Sequence, residues 1–150
     1  RICIDPHQLN KAIMRPHYQA PTIEEIAPQL NKAKVFSKLD LKDGFWHVKL
    51  TEKSSKLTTF WTPYGRYRWL RLPFGVCLAP EEFQRRVNDQ FEGLNGVIII
   101  ADDVVVFGSG DSDEEALKDH NQNLKLLLQR ANEKNVKFNL KKCMIGMREI

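Results

Sequence analysis

The sequence lacks the marks of a secreted, membrane-spanning or repetitive protein. It has only three cysteines, and Cys3, Cys77 and Cys143 are too widely spaced for a zinc motif or a disulfide framework, which favours a reducing compartment. No run of about 18 apolar residues is present, so we expect no membrane partner. No signal-peptide pattern, repeat, low-complexity tract or linker is visible. These absences predict one globular domain, and a start at Arg1 rather than Met indicates a piece of something longer.

Charge is distributed unevenly along the chain. The net charge is +4 and the pI is near 9.0, which permits a polyanionic partner without requiring one. Three arginines alternate with two aromatic residues between 66 and 71, and four lysines lie between 134 and 142. Acidic residues concentrate at 111–115, where they suit the first turn of a helix. For each cluster a solvated surface is the plainer interpretation.

The hydrophobic periodicity predicts an α+β domain. Segments 1–4, 34–41, 56–62, 66–72, 136–140 and the two flanks of Asp102-Asp103 are expected to be strands, with 63–65 turning a hairpin. Helices are expected from the Thr22–Glu25 capping box to about Asn31, over 79–94, and from Ser112 to about Lys134. This order predicts an antiparallel sheet with helices packed on one face.

The last of these helices is predicted to bury one apolar stripe. Its members are Leu117, Leu124, Leu127, Leu128 and Ala131. His120 shares the face, where a lone histidine is more often a packed, hydrogen-bonded residue than a metal ligand.

Two adjacent aspartates interrupt a stretch that otherwise has the pattern of buried strands, "GVIIIADDVVVFG". Asp102 and Asp103 repel each other, so they require a solvated turn, a protonated member or a bound cation. A solvated turn is the plain alternative, although a hairpin made only for turning usually has Gly or Asn. A pair of Mg²⁺ ions would need a third carboxylate. Asp40, at the end of the strand "VFSKLD", is the best candidate, and Asp43 in the following turn is the rival.

Four motifs occur in order and resemble the reverse transcriptases of gypsy-type LTR retrotransposons: "FSKLDLKDGFW", "LRLPFGVCLAPEEFQR", "IADDVVVF" and "KFNLKKC". "RICIDPHQLNK" at the start resembles the fingers of that family. The resemblance covers essentially the whole chain. It implies a right-hand polymerase fingers and palm fragment. The implied function is RNA-directed DNA polymerisation, in which two Mg²⁺ ions (Mn²⁺ as the alternative) support transfer of dNTPs to a primer on an RNA or DNA template.

The resemblance also implies the roles of individual residues. Asp40, Asp102, Asp103 and the Leu41 carbonyl would hold the metal ions. Arg1 and the amides of Asp43, Gly44 and Phe45 would meet the triphosphate, and the Phe45 ring would exclude a 2′-hydroxyl. Phe74 and Gly75 would contact the nucleotide. Lys142 is the candidate general acid for pyrophosphate, with a solvated lysine as the plainer alternative.

The expected partners are a template-primer, dNTPs and the rest of a Pol polyprotein, namely protease, thumb, ribonuclease H and integrase. The expected location is intracellular, in a cytoplasmic virus-like particle or alternatively the nucleus. One departure from the family is Ile100-Ala101, where an aromatic and a larger apolar residue usually stand. The rival hypotheses are an inactive element remnant and a non-catalytic nucleic-acid-binding domain, which would place aromatics rather than acids on its central strands.

Overall fold

The computed structural model describes residues 2–14, 22–100 and 103–149, apart from the side chain of Ile23. The chain forms two compact units. We call Arg1–Tyr18 with Asp43–Arg86 the hairpin unit, and Gln19–Lys42 with Val87–Ile150 the sheet unit. Within the described ranges, no helix has both the length and the apolar character needed to cross a membrane.

A four-stranded antiparallel sheet forms the sheet unit, in the order β4-β5-β1-β6. Its strands are β1 (Ala33–Asp40), β4 (Val97–Ile100), β5 (Asp103–Ser109) and β6 (Met144–Met147). The predicted strand before Asp40 and the two strands around the aspartate pair are therefore confirmed. The predicted strand over 136–140 is wrong, because that segment turns and contributes only a bridge from Phe138 to Leu41.

The long helix α5 (Asp113–Glu133) covers one face of this sheet. Ser112 caps it and forms the two reciprocal bonds of a capping box with Glu115. Its buried positions are Ala116, His120, Asn123, Leu127 and Ala131.

The predicted apolar stripe is thus partly wrong, since Leu117 and Leu128 are exposed. Polar partners in the sheet decide the rotation of the helix: Asn123 Nδ2 donates to the Phe107 carbonyl at 3.1 Å. His120 Nε2 lies 2.7 Å from Ser37 Oγ, which confirms the expectation of a packed, hydrogen-bonded histidine.

A shorter helical segment packs against the opposite face of the sheet. It consists of α2 (Ile23–Ile26) followed by a 3₁₀ turn (Ala27–Leu30), because Pro28 lacks the N–H group that an α-helix interior requires. Glu25 N–H donates to Thr22 Oγ1 at 3.4 Å and Thr22 N–H donates to Glu25 Oε2 at 2.9 Å, so the capping box is confirmed. The cluster beneath this segment contains Ile26, Phe36, Ile98, Val105 and Phe107.

Short elements make up the hairpin unit: α1 (His7–Ala12), a 3₁₀ helix (Gly44–His47), α3 (Glu52–Leu57), β2 (Phe60–Thr62) and β3 (Gly65–Tyr67). Helix α4 (Ala79–Phe91) begins in this unit and ends in the sheet unit. The predicted hairpin is confirmed but shorter, because Lys56 and Leu57 belong to α3, which was not predicted. Thr51 caps α3 by accepting from Ser54 N–H at 3.2 Å. In place of the expected first strand, Cys3 forms a single bridge to Phe74.

Candidate active site

Asp40 and Asp103 lie directly opposite each other on adjacent strands. Asp40 is the last residue of β1, Asp103 is the first of β5, and the two are cross-strand partners. Directly opposed residues of an antiparallel pair share one sheet face, with Cβ atoms roughly 4.5–5.5 Å apart. The predicted approach of residue 40 to residue 103 is therefore present, whereas Asp102 lies outside the described residues.

Each of these two carboxylates has a lysine beside it. Lys38 lies two residues before Asp40 on the same strand face, and its Nζ is 2.7 Å from Asp103 Oδ2. Lys142 Nζ is 3.4 Å from Asp40 Oδ2. The hydrogen bond and the charge of Asp103, with a smaller contribution from Asp40, raise the pKa of Lys38. The repulsion between the opposed acids is thus offset by cationic groups.

Backbone contacts hold the end of β1 against the segment that carries Lys142. Asn139 N–H donates to the Asp40 carbonyl at 2.8 Å, and Lys42 N–H donates to the Lys137 carbonyl at 2.9 Å. Between these bonds, buried Leu41 forms its bridge to Phe138. The motif "KFNLKKC" therefore brings Lys142 to Asp40 although it is not a strand.

The chemistry of this donor set fits a divalent cation. Mg²⁺ prefers oxygen ligands and is commonly held by one or two carboxylates together with substrate phosphates. Within 2–14, 22–100 and 103–149, no three His, Cys, Asp or Glu side chains cluster as a metal site. The predicted three-carboxylate site includes Asp102, so it stays a prediction, as does ligation by the Leu41 carbonyl.

Asp43 and Gly44 start the 3₁₀ helix of the hairpin unit. Asp43 has φ +52°, in the left-handed region, and its carbonyl accepts from Trp46 N–H at 2.9 Å. A Cβ at Gly44 would lie 2.7 Å from the Phe83 ring, which explains why this position has no side chain. Backbone N–H groups at the start of a helix have no partner within it, so Gly44 and Phe45 offer donors of the kind a phosphate needs.

The Phe45 ring packs between two other phenylalanines. Its centroid lies 4.7 Å from that of Phe74 and 5.5 Å from that of Phe83. These contacts hold Phe45 and Phe74 together and restrict the movement of the Phe45 side chain.

Gly75 follows Phe74 in a conformation that side chains rarely adopt. Its φ is +109°, and a Cβ there would overlap the Ile4 carbonyl oxygen. Ile4 N–H donates to the Phe74 carbonyl at 2.9 Å, and Asn10 Nδ2 donates to the Gly75 carbonyl at 2.9 Å. The N-terminal segment therefore fixes the Phe74-Gly75 backbone. Arg1, the predicted triphosphate ligand, lies outside the described residues.

Sequence reasoning missed Lys38, Asn10 and Phe83. Lys38 could have been found, because a residue two positions before Asp40 must share its strand face. Asn10 acts across a long stretch of sequence, and it also accepts from Cys77 N–H at 2.9 Å. No local pattern signals such a contact.

Comparisons with known protein families and sequences match the whole length of the chain. A family model described as reverse transcriptase (RNA-dependent DNA polymerase) matches residues 1–150. The chain is 38% identical to the retrovirus-related Pol polyprotein from transposon 412 of Drosophila melanogaster, covering 100% of the chain and 12% of that polyprotein. It is 31% identical to the enzymatic polyprotein of cauliflower mosaic virus (strain NY8153), covering 100% of the chain and 21% of that protein.

Among solved structures, foamy virus reverse transcriptases match almost the whole chain. The foamy viral protease-reverse transcriptase in complex with double-stranded DNA matches with a TM-score of 0.84 and 25% identity, over 100% of this chain and 25% of that one. The native prototype foamy virus protease-reverse transcriptase matches with a TM-score of 0.78 and 30% identity, over 98% of this chain and 19% of that one. The chain thus spans a quarter or less of the length of these proteins.

Proposed function

Because the chain belongs to the reverse transcriptase (RNA-dependent DNA polymerase) family and has its fingers and palm fold, we propose that it catalyses RNA-directed DNA synthesis by two-metal nucleotidyl transfer. These relatives are polyproteins, and two of them are Pol polyproteins from transposons. We place this activity in a longer Pol polyprotein that supplies protease, thumb, ribonuclease H and integrase. An intracellular location, in a cytoplasmic virus-like particle or the nucleus, belongs to the same proposal.

The opposed carboxylates of Asp40 and Asp103 carry the proposal. Like charges placed directly across an antiparallel pair are destabilising, and this pair needs Lys38 and Lys142 to offset its repulsion, so stability alone does not favour it. Together with Asp102 and the Leu41 carbonyl, they are the residues that would hold two Mg²⁺ ions, with Mn²⁺ as the alternative. Bound there, the ions would activate the primer 3′-hydroxyl and neutralise the charge on the attacked and leaving phosphates.

Lys142 is our candidate proton donor. Its Nζ lies 3.4 Å from Asp40 Oδ2, so the carboxylate keeps the ammonium close to the proposed reaction centre. We assign it the role of protonating the leaving pyrophosphate, since a positioned ammonium can both donate a proton and stabilise the developing charge.

The hairpin unit supplies the residues proposed to select and hold the nucleotide. Amides of Asp43, Gly44 and Phe45, with Arg1, would bind the triphosphate. The Phe45 ring would exclude ribonucleotides, because its contact with Phe74 leaves it little freedom to give way to a 2′-hydroxyl. Gly75 would let the backbone approach the nucleotide.

A template-primer and dNTPs are the proposed substrates. The foamy viral protease-reverse transcriptase has been solved in complex with double-stranded DNA and with an RNA/DNA hybrid. A polymerase must accept any sequence, so we propose that this chain binds its duplex through phosphates and helical shape.

Primer extension on an RNA template with Mg²⁺, performed with the full polyprotein, tests the proposal. Asp103→Asn should abolish incorporation, because an amide removes the negative charge that binds the metal while keeping the shape of the side chain. Asp111→Asn is the matched control, since Asp111 forms an exposed ion pair with Lys32, 3.0 Å away, at the other end of β1. Extension by Asp103→Asn at the parent rate would remove Asp103 from the metal site.

A further inference from the structure

An exposed hairpin of aromatic and basic residues lies in the hairpin unit. We call residues 60–69 the aromatic hairpin: β2, β3, the turn between them and the two residues that follow. Its strands have three residues each and form a two-stranded sheet. Trp61 is 76% exposed and Tyr64 is 89% exposed. A two-stranded hairpin is only marginally stable alone, and exposed rings on it add little to its stability. Large exposed aromatic side chains therefore indicate a binding surface.

The two faces of the aromatic hairpin differ. Trp61 and Arg66 are cross-strand partners, and the Arg66 guanidinium lies 5.0 Å from the centre of the Trp61 ring. On the other face the Phe60 ring packs 6.3 Å from Tyr67 and 6.4 Å from Trp69. This packing supports the hairpin from one side and leaves Trp61 with Arg66 facing solvent.

Charge in this part of the chain is of one sign. The aromatic hairpin contains Arg66 and Arg68 and no Asp or Glu, and Arg71 follows it two residues later. Such a surface complements a polyanion.

We propose that the aromatic hairpin binds single-stranded nucleic acid, with an unpaired base stacked on Trp61 and phosphates contacted by Arg66 and Arg68. Single-strand sites combine basic side chains with aromatic rings on which bases stack, and paired bases do not offer their faces for such stacking. A protein partner would have to match this surface with an acidic one. The inference rests on the proposed function for the source of the strand, which is the unpaired template.

Binding of a labelled single-stranded RNA oligonucleotide tests this proposal. The full polyprotein is titrated in EDTA without nucleotides, and fluorescence anisotropy is compared with that of a blunt DNA duplex of equal length. Trp61→Leu, which keeps an apolar side chain without a stacking ring, should weaken binding to the single strand roughly tenfold. Trp61→Phe should restore most of the affinity, and the duplex should bind all three proteins equally.

Two further variants separate stacking from general surface effects. Arg66→Gln should reduce the salt dependence of single-strand binding by about 0.7 in log–log slope, as expected for one lost phosphate contact. Leu70→Ala is the control, because Leu70 is exposed in the same segment and has no ring. It should bind like the parent.

Three outcomes would overturn the proposal. In the first, Trp61→Leu binds the oligonucleotide like the parent. In the second, Leu70→Ala weakens binding as much as Trp61→Leu does. In the third, Trp61→Leu leaves RNA binding intact but abolishes association between copies or segments of the polyprotein, which would make the hairpin a protein interface. The binding assay contains neither metal nor nucleotide. A negative result in it would therefore refute only the role of the aromatic hairpin, whereas primer extension by Asp103→Asn at the parent rate would refute the metal site.

Discussion

Ser37 joins three elements of the sheet unit through one hydroxyl group. It lies fully buried in β1, three residues before Asp40, and its Oγ is 2.7 Å from His120 Nε2 on α5. The same oxygen accepts from Gly146 N–H of β6 at 3.1 Å. His120 Nδ1 lies 3.2 Å from Asn121 Oδ1, which can only accept. The ring can satisfy the network by donating from Nδ1 to this oxygen and accepting at Nε2 from the Ser37 hydroxyl.

Replacing Ser37 with alanine should destabilise this unit by about 2 kcal/mol. The hydroxyl is the partner of the buried His120 Nε2, and leaving such a group unsatisfied costs about 1–3 kcal/mol. Gly146 is exposed, so water can replace its lost bond and the second cost is small. A chain of this size loses about 2–4 °C of melting temperature per kcal/mol, which predicts a fall of about 4–8 °C.

A double-mutant cycle with His120→Leu measures the interaction, with unfolding followed by far-ultraviolet circular dichroism. We expect a coupling energy of about 1–2 kcal/mol, within the range for residues in direct contact. Ser109→Ala is the matched control, because Ser109 contacts α5 through its backbone N–H, which donates to Asp119 Oδ2 at 2.9 Å. Strictly additive effects of the two substitutions would refute the reasoning. Well below its melting temperature, Ser37→Ala should extend primers at the parent rate.

Two other predictions concern residues that we propose contact the nucleotide. Gly75→Ala should lower the melting temperature more than Gly65→Ala. Both glycines have positive φ, which costs other residues about 1–3 kcal/mol of strain. A Cβ at Gly75 would also overlap the Ile4 carbonyl, whereas a Cβ at Gly65 would meet nothing within 4 Å. Equal shifts would show that the close approach at Gly75 carries no cost. Phe45→Val should admit ribonucleotides in primer extension, because the smaller side chain leaves room for a 2′-hydroxyl. Unchanged discrimination between dNTPs and rNTPs would contradict the proposed role of Phe45 in excluding ribonucleotides.

Strongly periodic segments were predictable from their own residues. The alternation in 34–41 located β1, and the capping residues Thr22 and Ser112 marked where helices begin. The strand β6 could not be predicted, because "MIGM" has little strand character and pairs only where the edge of β1 supplies hydrogen-bond partners. The rotation of α5 about its axis could not be predicted from its own sequence either, because the partners of His120 and Asn123 lie in strands distant in sequence.

By itself the sequence determined that acidic residues end one strand and begin another, and that "LPFG" precedes a helix. Only the tertiary structure decided that Asp40 faces Asp103, that Lys38 and Lys142 neutralise them, and that Phe45 packs on Phe74. The physical reason is that strand and helix periods are written in consecutive residues, whereas register between distant strands follows from how the whole core packs.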